Sequence, residues 1–229
     1  SEIKIELSAG GAGKGMSDAI QGLVDIGMVS REIYQSEINQ GIFWVSVCKD
    51  AVVATINEEN PVYESILSTG ITKQQFIDVY INRTITTWGE LTNNPENTQK
   101  INVYTRSDAC GAAQTWALYL GNYSQDDLTN AADSSINGDP NLAAAVQGDI
   151  RGIGYNNINF IYDADTKQPF DRIRPIPIDL NENGILDENE RIYENLYYIT
   201  ERNNLNSLYN VYLNNSFFNQ YNMYEKLNL

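Results

Sequence analysis

The stretch INVYTRSDACGAAQTWALYLG, residues 101–121, decides how the fold is interpreted. Ile101, Val103 and Thr105 recur at every second position and predict the end of a β-strand, while residues 112–120 are rich in good helix formers and stop at Gly121. Arg106 lies in the small-residue turn between them. A strand that enters a helix through a tight turn leaves free backbone N–H groups and the positive end of a helix dipole above the strand. The stretch therefore predicts an anion site, and the alternative is an ordinary βα turn with a surface arginine.

A second candidate anion loop lies near the start of the chain. Alternating apolar and charged residues predict a half-buried strand over residues 1–9, followed by the glycine loop GGAGKG at 10–15 and a short helix over 16–23. Residues 24–29 predict a second strand that ends at Ser30. In a parallel sheet this order places the glycine loop and Ser30 at the same edge, where both can face one ligand.

The glycine loop matches neither of the two common nucleotide-binding motifs. Gly15 stands where a phosphate loop needs Ser or Thr after Lys14, and Met16 stands where the dinucleotide fingerprint needs its third glycine. Exposed amides beside a lysine suit a small oxyanion. The alternative is a flexible turn that only allows close helix packing.

Composition excludes several classes of function. Acidic residues outnumber basic ones 30 to 15, for a formal charge of -15, so we expect no nucleic-acid partner and no anionic membrane surface. The chain has no histidine, which removes serine-histidine and cysteine-histidine catalysis. Cys48 and Cys110 fit neither a disulfide framework nor a zinc site, although one bridge between them is geometrically open. We expect no enzyme; the one enzymatic hypothesis is a low-pKa thiolate at Cys110, at the start of the predicted helix.

The rest of the chain alternates strand and helix patterns, which predicts an α/β fold. Residues 43–57 predict a buried strand pair or one long crossing strand. Thr72 and Gln75 form a capping box that opens a helix, and Asp139 followed by Pro140 predicts the N-cap and first residue of another. Further predicted elements are a short helical turn at 86–91, a strand at 152–155, an extended edge segment at 172–178 and a helix with an apolar stripe over 205–221.

Residues 179–190, DLNENGILDENE, are the most specific local pattern in the chain. They fill every ligand position of an EF-hand-type calcium loop, with glycine at the sharp bend. The predicted ligands are Asp179, Asn181, Asn183, the carbonyl of Ile185, Asp187 and Glu190, with Gly184 at the bend. We expect a structural calcium ion here, in a loop that stiffens the fold instead of sensing calcium. A solvated acidic hairpin is the alternative.

Several of these motifs, taken in order, resemble phosphate-binding proteins of the ABC-transporter periplasmic solute-binding class. The resemblance covers about four-fifths of the chain and is carried by residues 10–16, 24–31, 51–61, 71–91, 105–115 and 152–155. It implies an α/β, two-lobed periplasmic-binding-protein-like fold with mixed sheets and crossing strands. It also implies a discontinuous lobe I, residues 1–55 plus 163–229, and a lobe II of residues 56–162. The chain opens at what resembles the second strand of that fold.

The resemblance also implies the residues that hold the anion. The matching positions are Gly11, Ala12, Gly13, Ser30, Arg106, Cys110, Gly111 and Ala112. At Ala12, Cys110 and Ala112 this chain lacks a hydroxyl that the family carries. Each missing neutral hydrogen bond costs about 0.5–1.5 kcal/mol of binding free energy.

From this resemblance we expect a monomeric solute-binding protein that captures phosphate or a related oxyanion and delivers it to an ABC-transporter membrane permease. We expect it outside the cytoplasm, extracellular or periplasmic, with a membrane anchor if a full-length precursor carries one; no export signal stands at Ser1. The alternative is an extracellular interaction module, stabilised by calcium, that has kept the scaffold and lost anion binding.

Overall fold

A five-stranded mixed β-sheet forms the centre of the protein. The structure, a computed structural model, describes residues 4–8, 10–46, 50–166 and 168–191. The strands are β1 (Val52–Asn57), β2 (Asn102–Arg106), β3 (Ser134–Ile136), β4 (Gly152–Asn157) and β5 (Ile173–Pro175). They lie in the order β3-β2-β4-β1-β5. β2 runs parallel to β3 and β4, whereas β1 is antiparallel to β4 and β5, so the predicted mixed α/β sheet is confirmed.

Burial explains why the β1 segment forms a strand. Every residue of β1 is buried, and its β-branched residues fit a sheet that is covered on both faces. Its two buried polar side chains are satisfied: Thr55 donates to Asn156 at 2.9 Å, and Asn57 donates to the carbonyl of Gln147 at 2.8 Å. β5 lies at the edge of the sheet, as the prolines of this segment predict.

Two helices of the described chain precede β1, and the others lie between the strands. They are α1 (Ala12–Ile20), α2 (Gln35–Ile38), α3 (Tyr63–Thr69), α4 (Lys73–Tyr80), α5 (Trp88–Thr92), α6 (Gly111–Gly121), α7 (Gln125–Ala131) and α8 (Asp139–Gly148), with 3-10 turns at Ile158–Phe160 and Glu188–Glu190. The capping box of α4 is confirmed, because the Thr72 hydroxyl accepts from the Gln75 amide at 3.2 Å. The N-cap predicted at Asp139 is wrong: Gly138 is the N-cap, and Asp139 is the first helical residue.

An aromatic cluster holds α4 and α6 against the sheet. The rings of Phe76 and Tyr80 pack edge-on against Trp116, with centroids 5.3 and 5.5 Å apart. Tyr155 of β4 stacks on the other side of Trp116 at 6.1 Å. The Tyr80 hydroxyl donates to the carbonyl of Gly154 at 2.6 Å, so this ring is fixed to β4 by a directed bond as well as by packing.

Two predicted strands are absent. Residues 4–8 of the segment 1–9, and residues 24–29, form no β-strand. Several of their apolar side chains are largely exposed, for example Leu7 at 82% and Ile26 at 82%. The alternation is real, but a strand also needs a hydrogen-bonded neighbour, and no strand among the described residues pairs with either segment. Among the described residues of the apolar run 43–57, which leave out 47–49, only β1 forms a strand.

Some sequence predictions fall outside the described residues or stay predictions. The helix predicted over 205–221, residues 1–3 and 9 of the first strand, and Cys48 lie outside the described part of the chain. The division into lobe I (1–55 plus 163–229) and lobe II (56–162) stays a prediction. No helix within the described ranges is both long and apolar enough to cross a bilayer.

Two leucines of α6 test how strongly this helix depends on the core. Leu120 is fully buried and Leu118 is 37% exposed. We expect Leu120→Ala to lower the free energy of unfolding by about 2–5 kcal/mol, because it leaves a cavity. Leu118→Ala, on the same helix, should cost less than about 1 kcal/mol. Urea denaturation measures both, and similar losses would contradict this placement of the helix.

Candidate functional site

The guanidinium of Arg106 lies at the end of β2 and is almost fully buried, with its side chain 3% exposed. Asp108 binds it bidentately: Nε donates to Oδ1 at 2.9 Å and Nη2 to Oδ2 at 2.6 Å. Nη1 donates to Oδ1 of Asp139, the first residue of α8. The hydrogen bonds from Arg106 hold the pKa of the Asp108 carboxyl below its usual value.

The backbone of Arg106 is fixed by the neighbouring strand. The hydroxyls of Thr105 and Tyr155 are 2.7 Å apart, and the Arg106 amide donates to the Tyr155 oxygen at 3.2 Å. Tyr155 is completely buried, and this burial raises the pKa of its hydroxyl. A neutral phenol in the core therefore sets where β2 ends.

Gln125 of α7 clamps the turn that follows Arg106. Its amide nitrogen donates to the carbonyl of Asp108 at 2.7 Å, and its amide oxygen accepts from the backbone N–H of Cys110 at 3.2 Å. Both ends of the turn are thus held by one side chain. The amide that the Gln125 oxygen occupies is one of those at the start of α6.

The start of α6 lies directly against Ser30. Cys110 is the N-cap, and its sulfur accepts from the amide of Ala113 at 3.4 Å. A Cβ built on Gly111 would come 2.3 Å from the carbonyl oxygen of Ser30 and 2.4 Å from its hydroxyl, so only glycine allows this approach. Ala112 is buried. The first turn of α6 is therefore brought against Ser30.

A buried ion pair holds the segment that follows Ser30. Arg31 donates to both carboxylate oxygens of Glu37, at 2.9 and 2.6 Å, and its guanidinium carbon lies 4.4 Å from the centre of the Tyr34 ring. The side-chain hydrogen bond from Arg31 lowers the pKa of Glu37. The ion pair with Glu37 therefore gives Arg31, the second arginine near the site, a structural role.

The glycine loop reaches the same turn from the other side. A Cβ built on Gly11 would lie 1.6 Å from the carbonyl oxygen of Ala109, which no side chain could tolerate. Gly11 is the N-cap of α1, Ala12 is buried, and Gly13 follows within the first turn. The N-termini of α1 and α6 therefore meet at the turn 107–110, each with first-turn amides that lack a partner within the helix and with the positive end of a dipole.

The structure brings together the loops that carry all eight predicted anion-binding residues, because Gly11 contacts Ala109 and Ser30 contacts Gly111. Sequence reasoning missed Asp108 and Asp139, the two carboxylates on Arg106. The sequence held an indication for Asp108, since an acid two residues after a buried arginine can fold back onto it. Nothing in the sequence linked Arg106 to Asp139, 33 residues away.

The thiolate predicted at Cys110 is wrong. The residue is a free cysteine, buried, and burial raises the pKa of its thiol despite its position at a helix N-terminus. Desolvation disfavours the charged form and outweighs the dipole and Arg106. A neutral thiol acting as N-cap is not an activated nucleophile.

The acidic loop 179–190 is ordered by its own carboxylates. Asp179 and Glu190 are 2% and 1% exposed. Asp179 accepts from the amide of Gly184 at 2.8 Å, and Glu190 accepts from the amides of Leu180 and Asp187 at 2.8 and 2.9 Å. Gly184 has φ +78°, which glycine adopts without strain.

Two other predicted ligands of this loop, Asn181 and Asn183, converge on the side chain of Asp187. The side-chain amides of Asn181 and Asn183 donate to Asp187 at 2.7 and 3.1 Å, whereas Ile185 is exposed. Among the described residues, no group of three or more His, Cys, Asp or Glu side chains is arranged to hold a metal ion. In the described structure these carboxylates thus bind backbone and amide N–H groups. The calcium ligand set stays a prediction.

Comparison with known proteins places the chain in a class. Two curated proteins named phosphate-binding protein PstS 2, from Streptococcus agalactiae serotypes V and III, are 30% identical over 90 residues, or 39% of this chain and 28% of theirs. A solved structure from Clostridium perfringens, assigned as a phosphate ABC transporter substrate-binding protein with bound phosphate, has a TM-score of 0.60 at 25% identity. That likeness covers 74% of this chain and 61% of the Clostridium chain. The matches thus span under a third of the curated relatives and about three-fifths of the solved one.

The fold defines an α/β protein of the two-lobed periplasmic-binding-protein type, which confirms the predicted fold class. A match to the PBP (periplasmic binding protein) superfamily domain covers residues 1–214. The chain belongs to this superfamily.

Two glycines test the close approach of the loops. Gly11→Ala should lower the free energy of unfolding by about 1–3 kcal/mol, because its Cβ would collide with the Ala109 carbonyl. Gly148→Ala is the matched control: a Cβ at Gly148, in α8, meets no atom within 4 Å, and alanine should leave stability unchanged or raise it by about 1 kcal/mol. Thermal melts measure both, and equal stability of the two variants would show that the loops do not touch.

Proposed function

We propose that this protein captures phosphate or a similar tetrahedral oxyanion as the binding component of an ABC transporter. The observation that carries the proposal is the convergence of the α1 and α6 N-termini at the turn after the buried Arg106. The names of the similar proteins from Streptococcus agalactiae and Clostridium perfringens support phosphate as the ligand.

The donors at this turn suit a small oxyanion. The first N–H groups of a helix have no partner within it, so those of Ala12 and Gly13 on one side and of Gly111 and Ala112 on the other are free to bind anion oxygens. The Ser30 hydroxyl can donate to an unprotonated oxygen or accept from a protonated one. Arg106 supplies the positive charge, through hydrogen bonds that are stronger than neutral ones.

Binding without chemistry is the simplest role for this donor set. The neutral thiol of Cys110 has no histidine to activate it, since the chain contains none. We propose that the protein works outside the cytoplasm as a monomer and that a membrane permease is its partner. Closure of two lobes on the anion would present the bound form to that permease.

One observation favours a second candidate, an extracellular interaction module that has lost the anion. Arg106 already carries two carboxylates, so its charge is more than neutralised in the described structure. On this hypothesis the triad is purely structural and the protein binds no oxyanion. Calorimetry separates the two candidates.

We further propose that residues 179–190 bind a structural calcium ion. Two nearly buried carboxylates, Asp179 and Glu190, lie in one short loop. The loop is tied to the end of α3 and to the turn that follows it, because the amide of Leu186 donates to the carbonyl of Ser68 at 2.9 Å and that of Asp179 to the carbonyl of Ile71 at 3.2 Å. A cation that rotates these carboxylates inward would neutralise them and stiffen this turn.

Titration calorimetry with phosphate, sulfate, arsenate and molybdate tests the anion proposal. We expect phosphate to bind, and Arg106→Lys to weaken binding by about 2–5 kcal/mol, because lysine keeps the charge but lacks the planar fork. Arg151→Ala removes a half-exposed arginine beyond the other end of β2 and should leave the affinity unchanged. Absence of heat with all four anions in the wild-type protein would exclude the proposal and leave the interaction module.

Thermal melts with calcium or chelator test the second site. At a calcium concentration one hundred times Kd, we expect a stabilisation of about 2.7 kcal/mol, which raises Tm by roughly 5–10 °C for a protein of this size. Glu190→Gln should remove most of this gain, while Glu188→Gln, at an exposed position that supplies no ligand, should keep it. An unchanged midpoint in the wild-type protein would refute the calcium site.

A further inference from the structure

The hydrogen-bond donors of Arg106 are in use before any anion arrives. Nε and Nη2 bind Asp108, and Nη1 binds Asp139. One guanidinium and two carboxylates leave a local charge of about minus one if both are ionised. An oxyanion that approaches this triad would meet repulsion unless one carboxylate is displaced or neutralised.

Asp108 is not the carboxylate that leaves. It makes two hydrogen bonds to Arg106 and accepts a third from the backbone N–H of Gly138, at 3.0 Å. These bonds favour its charged form, and its pKa is lowered, chiefly by Arg106. Loss of Asp108 would also free the turn from the start of α8.

Asp139 is held far less firmly. Its carboxylate makes one hydrogen bond to Arg106, from Nη1, and its side chain is 27% exposed. Burial raises the pKa of this carboxyl, and the acidic groups of Asp108 and Asp50 raise it further against the opposing effect of Arg106. Cys110, which also faces it, remains a neutral thiol. Asp139 is therefore the member of the triad that protonates first.

We propose that the Asp139 carboxylate occupies the place of an anion oxygen on Arg106 in the unliganded protein, and that it gives up this place by taking a proton when an oxyanion binds. This inference rests on the proposed anion-binding function. It makes Asp139 a residue that sets affinity and couples it to pH. Nη1 is the donor that becomes available to the anion.

The sign of the pH dependence follows from competition between the Asp139 carboxylate and the anion for Nη1 of Arg106. Above the pKa of Asp139, the ionised carboxylate holds Nη1 and repels the anion, so affinity is low. As the pH falls towards that pKa, the affinity rises by up to about tenfold for each pH unit, and it levels off below the pKa, where Asp139 is neutral. An asparagine at this position is neutral at every pH, so it should remove this part of the dependence.

Calorimetry on Asp139→Asn tests the proposal, with phosphate as the probe at pH 4.5, 6.0 and 7.5. Phosphate itself titrates in this range, but its titration is common to both proteins and cancels in their ratio. We expect Asp139→Asn to bind phosphate roughly tenfold or more tightly than wild type at pH 7.5. The ratio should decrease as the pH is lowered from 7.5 to 4.5. In buffers of different ionisation enthalpy, wild type should take up more protons than the variant.

Asp165→Asn controls for net charge, since it removes one charge from an exposed turn. Its affinity should stay within twofold of wild type, and a gain equal to that of Asp139→Asn would overturn the proposal, because long-range charge would then explain both. Equal or weaker phosphate binding by Asp139→Asn, with a wild-type melting curve, would overturn it while leaving the proposed function intact. If no protein binds any of the four oxyanions, the proposed function fails and this inference with it.

Discussion

Burial of one guanidinium is the constraint on which the rest of the site depends. A charged group that loses its hydration must regain partners from the protein, or its burial costs several kcal/mol. Arg106 regains them from Asp108 and Asp139, and these two carboxylates tie the end of β2 to the start of α8. The turn 107–110 is thereby fixed, and so is the direction in which the first amides of α6 point.

Local rules predicted the parts of the fold that are locally determined. The capping box at Thr72 and the helix α6 were predicted because sequence neighbours satisfy their hydrogen bonds. The family resemblance led us to expect that the loops at Gly11, Ser30 and Gly111 converge, whereas the two strands predicted to bring Gly11 and Ser30 to one sheet edge are absent. Asp139 was missed as a partner of Arg106, because a contact across 33 residues depends on how α8 packs on the sheet.

The predicted strands near the start of the chain show where such local rules fail. Residues 26–28 lie against α1: a Cβ on Gly27 would come 2.2 Å from the carbonyl oxygen of Gly15. Ile26 and Met28, on either side of Gly27, are 82% and 70% exposed. The pattern of these residues predicted a strand, and the structure contradicts that prediction. The pattern could not supply the neighbouring strand, since pairing is a property of two segments and not of one.

An acidic protein can hold an anion only through groups that act at short range. With a formal charge of -15, the average field of this chain repels anions. That field is screened within about 8–10 Å at physiological salt, whereas hydrogen bonds from oriented amides act at contact. The α1 and α6 N-termini need no net positive charge, because their donors are fixed by the backbone. Arg106 binds one carboxylate more than its own charge can neutralise. Affinity at such a site must therefore depend on the geometry of the donors and on the removal of competing acceptors, and only weakly on total charge.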